Sequence, residues 1–111
     1  MNFLHDYTKA EANYLVGIKD APSTTAFYKD LFSLYTTTSY KPSNTAAENI
    51  LKQGISANPK SVDLQMTLAR YYKSLGRAAD AKAEYDAAIA NAKSQNQSDL
   101  AAQIQAEESD N

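Results

Sequence analysis

Apolar residues recur at helical spacing along most of the chain, and short polar runs interrupt that rhythm at a few defined places. Phe3, Tyr7, Ala10, Tyr14 and Ile18 are separated by 4, 3, 4 and 4 residues, one face of a helix that should end near Asp20. Pro22 and the run Ser23, Thr24, Thr25 supply a stop and an N-cap, after which Phe27, Leu31, Leu34 and Tyr35 resume the period in a second helix. Thr36, Thr37, Thr38 and Ser39 weaken that helix, and Tyr40 to Asn44, with Pro42 among them, read as a loop. Thr45 and Glu48 have capping-box spacing and open a third helix bearing Ala47, Ile50, Leu51, Gly54 and Ile55, which Asn58 and Pro59 close. Ser61 caps a fourth helix with Leu64, Leu68, Tyr71, Tyr72 and Leu75, and Gly76 supplies the left-handed residue that ends it. Ala78, Ala81, Tyr85, Ala88, Ile89 and Ala92 form the stripe of a fifth. Beyond the polar Ser94 to Ser98 segment, Leu100 and Ile104 suggest a short last helix before an acidic tail, Glu107 to Asn111, that should fray. Nothing alternates with period two for long enough to make a strand, so the expected fold is all-α.

Two glycines that fall inside helices give the register of a repeat. Gly17-Ile18 precedes Pro22, and Gly54-Ile55 precedes Pro59 at the same offset, 37 residues further on. The same shift superposes Ala10 on Ala47, Tyr14 on Leu51, Phe27 on Leu64, Leu31 on Leu68 and Tyr35 on Tyr72. From the second copy to the third the shift is 34, placing Ala47 on Ala81, Leu51 on Tyr85, Gly54 on Ala88 and Ile55 on Ile89. The three extra residues belong in the Thr36 to Asn44 stretch. Small residues at Ala69, Ala81 and Ala88 mark where two helices must approach to about 8–10 Å, with Tyr72 and Tyr85 filling the spaces between. A plain helical bundle would share the apolar stripes, but it has no reason to place small residues at a fixed period.

A 34-residue unit with Leu68-Ala69, Tyr72, Gly76, Ala81, Tyr85 and Ala88 at these spacings resembles the tetratricopeptide repeat. The resemblance implies a right-handed superhelical solenoid of antiparallel helix pairs, here five helices plus a short C-terminal one. It divides the chain into a repeat domain, 1–95 (half repeat 3–22, repeat 23–59 with the loop insertion, repeat 60–95), and a short capping helix with acidic tail, 96–111. Gln65 stands where the family carries an aromatic residue. Lys93 replaces the closing proline, so the fifth helix should run beyond its usual end.

For function, the resemblance implies a non-catalytic protein-protein interaction or assembly module whose partners are proteins or peptides, or copies of itself. The groove would be lined by the first helix of each pair. Met66, Arg70 and Lys73, with Lys29, Ser33 and Thr36 at the positions 37 earlier, are the groove candidates. Lys29, Arg70 and Lys73 would hold a peptide carboxylate by charge-assisted hydrogen bonds, although Ser33 stands where relatives with a carboxylate clamp use Asn. The alternative is a self-assembling structural subunit. The chain opens with what matches the second helix of a pair and closes with a stub matching a first helix, so either it is a piece of a longer array or Phe3, Leu4 and Tyr7 of one copy meet Leu100 and Ile104 of another, a head-to-tail contact that propagates as a filament. The plainer reading of the stub is a solvating cap.

Composition and charge narrow the chemistry. The 111 residues carry 11 basic and 13 acidic side chains, no cysteine and one histidine. Thiolate chemistry and cysteine zinc sites are excluded, and imidazole-based metal clusters are disfavoured. His5 has only Asp6 beside it, the three isolated glycines write no phosphate-binding loop, and Asp80, Glu84 and Asp86 interleave with Lys82 as a solvated face. No enzymatic activity, cofactor or metal is expected. A pI near 5.3 argues against nucleic acid as a partner, and no apolar run is long enough for membrane insertion. Met1 leads straight into an amphipathic stretch without signal-peptide features, which leaves the compartment open between cytoplasm and an exported mature domain. Should the chain be exported, Asn96-Gln97-Ser98 is an N-glycosylation triplet, and Thr36, Thr37 and Thr38 are candidate O-linked sites.

Overall fold

The computed structural model describes the backbone of residues 3–37 and 44–109 and the side chains of residues 7–36 and 45–109. The described residues form helices α1 (Phe3–Asp20), α2 (Thr25–Thr37), α3 (Asn44–Ala57), α4 (Val62–Ser74), α5 (Ala78–Ser94) and α6 (Ser98–Ser109), with no strand among them. Neighbours in sequence pack as antiparallel pairs: α1 on α2 and α2 on α3 in one compact unit, α4 on α5 and α5 on α6 in a second. The units meet in sequence at Asn58 and Pro59.

In the first unit the core is built from Ile18, Tyr28, Leu31, Leu34, Tyr35, Ala47, Ile50 and Leu51, the residues that the helical period brings to one side. Helix α1 approaches α2 closely because position 17 has no side chain: a β-carbon there would stand 2.8 Å from Cε2 and Cζ of the Phe27 ring. The Tyr35 hydroxyl reaches back to α1 and donates to Glu11 Oε2 at 2.6 Å. Where α1 turns into α2, the Pro22 carbonyl accepts from both the Tyr28 hydroxyl and Asn58 Nδ2, each at 2.9 Å.

The second unit repeats that device with different side chains. The Pro59 carbonyl accepts from Gln65 Nε2 at 3.2 Å and from Asn91 Nδ2 at 2.9 Å, and Asn91 also donates to Gln65 Oε1 at 2.8 Å. Gln65, at 4 % exposure, thus satisfies its amide inside the core where Tyr28 uses a phenol. Helix α4 starts at Ser61, whose side chain accepts from the Leu64 N–H at 3.2 Å. It ends at Gly76, φ 76°, with Arg77 N–H bonding back to the Tyr72 carbonyl at 2.9 Å. Ala81, Ala88 and Ala92 bury the inner face of α5, and Ala101 and Ile104 that of α6.

One local expectation holds and two are revised. Helix α5 runs on past the point where α3 stops: the 34-residue shift places Ala57 on Asn91, yet α5 continues to Ser94 with Lys93 inside it. There Asn96 adopts φ 63° and Gln97 N–H closes onto the Ala92 carbonyl at 2.8 Å, so an asparagine performs the stop that Gly76 performs after α4. Thr45 is not the N-cap of α3, which already begins at Asn44, and Glu48 pairs with Lys52 at 2.8 Å. Glu107 and Glu108 are not a frayed tail but the last turn of α6. The expected loop of Tyr40 to Asn44 lies, apart from Asn44, outside the described residues.

Candidate functional site

On α4 the apolar stripe turns Leu64, Leu68, Tyr71 and Tyr72 inward, which leaves Asp63 and Arg70 on the opposite side in solvent and Lys73 half-buried at the margin. The last turn of α6 is set against that margin by the burial of Ala101 and Ile104 one and two turns earlier. Arg70 Nε and Nη2 each donate to a different oxygen of Glu107 at 2.9 Å, a two-pronged contact that fixes the guanidinium plane. The Tyr85 hydroxyl, rising from the interior of α5, donates to Glu107 Oε2 at 2.8 Å. Beside it, Lys82 Nζ lies 3.0 Å from Asp86 Oδ2 and 3.4 Å from Glu108 Oε1.

The electrostatics follow from these contacts. The Arg70 hydrogen bonds, with help from Tyr85, hold the Glu107 carboxyl below the usual carboxylate range against the effect of burial. The same contact raises the Arg70 guanidinium. Burial, reinforced by the neighbouring Glu107 carboxylate, pushes the Tyr85 phenol up to about 12. The hydrogen bond from Lys82 lowers Asp86. Between these groups lies a cavity of about 340 Å³, with Gly76, Ala81 and Tyr85 as its apolar wall and Lys73, Lys82 and Glu108 at its polar edge. Glu108 Oε2 is buried and accepts no hydrogen bond among the described residues.

Of the groove candidates, Arg70 and Lys73 converge on this site, whereas Met66 does not: at 7 % exposure it belongs to the core of the second unit. Lys29, half-buried, and Ser33, exposed, lie on α2 of the first unit. Thr36 is exposed and its hydroxyl donates to the Phe32 carbonyl at 2.9 Å. The side chains of Phe3, Leu4 and Thr37, and all of Thr38, lie outside the described residues, and Tyr7 is half-buried. Ile104, at 2 % exposure, and the half-buried Leu100 are occupied within their own unit, which removes Ile104 as an open end contact. Asn96 is exposed at the α5–α6 turn. Sequence reading missed Glu107, Glu108 and Tyr85 as members of the site. The only signal was that Arg70 and Glu107 stand 37 residues apart, on the first helices of successive pairs, with opposite charge.

Among the described residues no helix is long and apolar enough to cross a membrane, and no group of three or more His, Cys, Asp or Glu side chains is placed to hold a metal ion. Serial helix pairs with small residues at their contacts, and a polar face on the first helix of a pair, define an α-helical repeat protein. The sequence model of the tetratricopeptide repeat matches residues 43–104, more than half of the chain, and the chain belongs to that family. Comparison with curated proteins and with solved structures gives no match.

Proposed function

We propose that the chain is a non-catalytic protein-interaction module that binds a peptide segment of a protein partner along the α4 face carrying Arg70 and Lys73. Tetratricopeptide repeats are generally protein-protein interaction modules. The observation that carries the reading to this face is Arg70, whose side chain is 60 % exposed while its guanidinium already binds a carboxylate in two-pronged geometry. The face therefore has the shape and charge for a partner's acidic side chain or C-terminus. Calorimetric titration with short peptides ending in acidic residues tests it. Arg70→Ala and Lys73→Ala should each weaken binding several-fold, and affinity unchanged in both variants removes the α4 face from the reading.

A second reading, self-assembly, is favoured by one observation: Leu15 and Val16 on α1 are 44 % and 57 % exposed, adjacent large apolar side chains on one helix. If they join copies of the chain, light scattering should show mass rising with concentration, and Leu15→Ser with Val16→Ser should abolish the rise. A strict monomer at high concentration excludes this reading.

A further inference from the structure

The last turn of α6 occupies a cation of the α4 face, Arg70, and one of α5, Lys82, in the manner of a bound ligand. Glu107 takes both prongs of Arg70, Glu108 shares Lys82 with Asp86, and Glu108 sits at the edge of a cavity walled by Gly76, Ala81 and Tyr85. The turn is held by polar contacts, from Arg70, Tyr85 and Lys82, and not by buried apolar side chains of its own. The residues of α6 that are buried, Ala101 and Ile104, lie one or more turns before it, and Ser109 is exposed. One oxygen of Glu108 is buried without a hydrogen-bond donor among the described residues, an arrangement that penalises the closed state and is relieved when the turn opens to water. A helix end with few buried contacts is also the part of a helix that opens most readily.

From these contacts we infer that Glu107 and Glu108 are an intramolecular stand-in for the partner, and that the partner segment carries two neighbouring carboxylates beside one apolar side chain. The carboxylates replace Glu107 and Glu108 on Arg70 and Lys82, and the apolar side chain enters the cavity, whose volume of about 340 Å³ exceeds that of a single residue. Only the last turn of α6 has to yield, so Ala101 and Ile104 remain buried and the fold is kept. The acids of the chain's own helix thereby set a threshold: a weakly acidic or purely apolar segment gains too little from Arg70 to displace them, and a basic one is repelled by Arg70 and Lys73.

The inference rests on the α4-face reading and is tested separately from it. Fluorescence anisotropy is measured with a labelled peptide of sequence Gly-Glu-Glu-Leu-Gly and with a control in which both acids are lysine. Glu107→Gln with Glu108→Gln should bind the acidic probe roughly tenfold more tightly than the parent chain, because the competitor has lost its charge while Gln can still accept from the Tyr85 hydroxyl. Circular dichroism reports whether the doubly substituted chain stays helical. Glu107→Gln alone, which leaves Glu108 in place, should show an intermediate gain and serves if the double variant does not fold. The lysine control should bind neither chain. If both variants fold and bind the acidic probe no more tightly than the parent, the stand-in is overturned, and loss of parent binding in Arg70→Ala would then still uphold the α4 face. Tighter binding of the lysine control overturns the partner chemistry.

Discussion

The carbonyl of a proline is the point at which the two units show the same chemistry in different residues. Pro22 accepts from Tyr28 and Asn58, and Pro59 from Gln65 and Asn91. The second set includes a buried amide, Gln65, whose oxygen accepts from Asn91 Nδ2 at 2.8 Å. Asn91→Ala should therefore leave Gln65 Oε1 buried without that donor and cost about 1–3 kcal/mol, which thermal unfolding followed by circular dichroism will read. Gln65→Leu, which removes both amide atoms together, should cost less than Asn91→Ala, and the reverse order would show that packing rather than hydrogen bonding sets this site. Position 17 obeys a different constraint. A β-carbon meets the Phe27 ring edge at 2.8 Å, so Gly17→Val should destabilise by about 1–3 kcal/mol even though valine is the better helix former. Both features left traces in the sequence. Gly17 and Pro22 recur as Gly54 and Pro59, which was readable, but that Gln65 replaces an aromatic by bonding to a carbonyl six residues back was not, because the donor that completes the network comes from a helix 26 residues further on.

The elements were legible wherever a local rule fixes them. Ser61 caps α4 through its own side chain, and Gly76 ends it through a positive φ, both read from the two residues alone. The extension of α5 was legible in Lys93, which stands where a proline follows α3, but its stop at Asn96 was not, because asparagine tolerates the left-handed region without advertising it. The two stops should then respond differently to substitution. Asn96→Gly should change stability by no more than about 0.5 kcal/mol, since glycine adopts φ 63° freely, whereas Asn96→Val should cost about 1–2 kcal/mol by forcing a β-branched residue into that region. Equal melting curves for the two variants would mean that the turn re-forms elsewhere in the Gln95 to Gln97 segment. The role of α6 was the least legible part. Leu100 and Ile104 announced a helix, but whether Glu107 and Glu108 fray or bind depends on Arg70 and Lys82 in helices that no local pattern connects to them.

In the second unit Arg70, Lys82, Tyr85, Asp86 and Glu107 lie together with titrations displaced from their usual values, so the contact of α4 and α5 with the last turn of α6 should respond to pH. The sign is opposite at the two extremes. Glu107 has its folded value held down by Arg70, so its contribution is present above the ordinary carboxylate value of 4.5 and is lost as pH falls below it through the depressed value. Tyr85 is raised from 10.0 to about 12, so its contribution is present below pH 10 and disappears as the medium passes from 10 to 12, where the unfolded phenol ionises first. Tyr28 in the first unit is also raised by burial, which gives an alkaline response there, and that unit's paired carboxylates, Glu11 with Tyr35 and Glu48 with Lys52, are independent of the Glu107 contact. Hydrogen exchange followed residue by residue should accordingly show protection in residues 59–109 falling when pH is taken below 4.5, ahead of residues 7–36. Glu107→Gln should flatten that acid limb, and Tyr85→Phe should leave it in place while flattening the alkaline one. Simultaneous acid loss of protection in both units, unaltered by Glu107→Gln, would assign the acid response to carboxylates outside this site, whereas its confinement to the second unit would make the contact between α4 and the last turn of α6 the element through which pH acts on the face proposed to bind the partner.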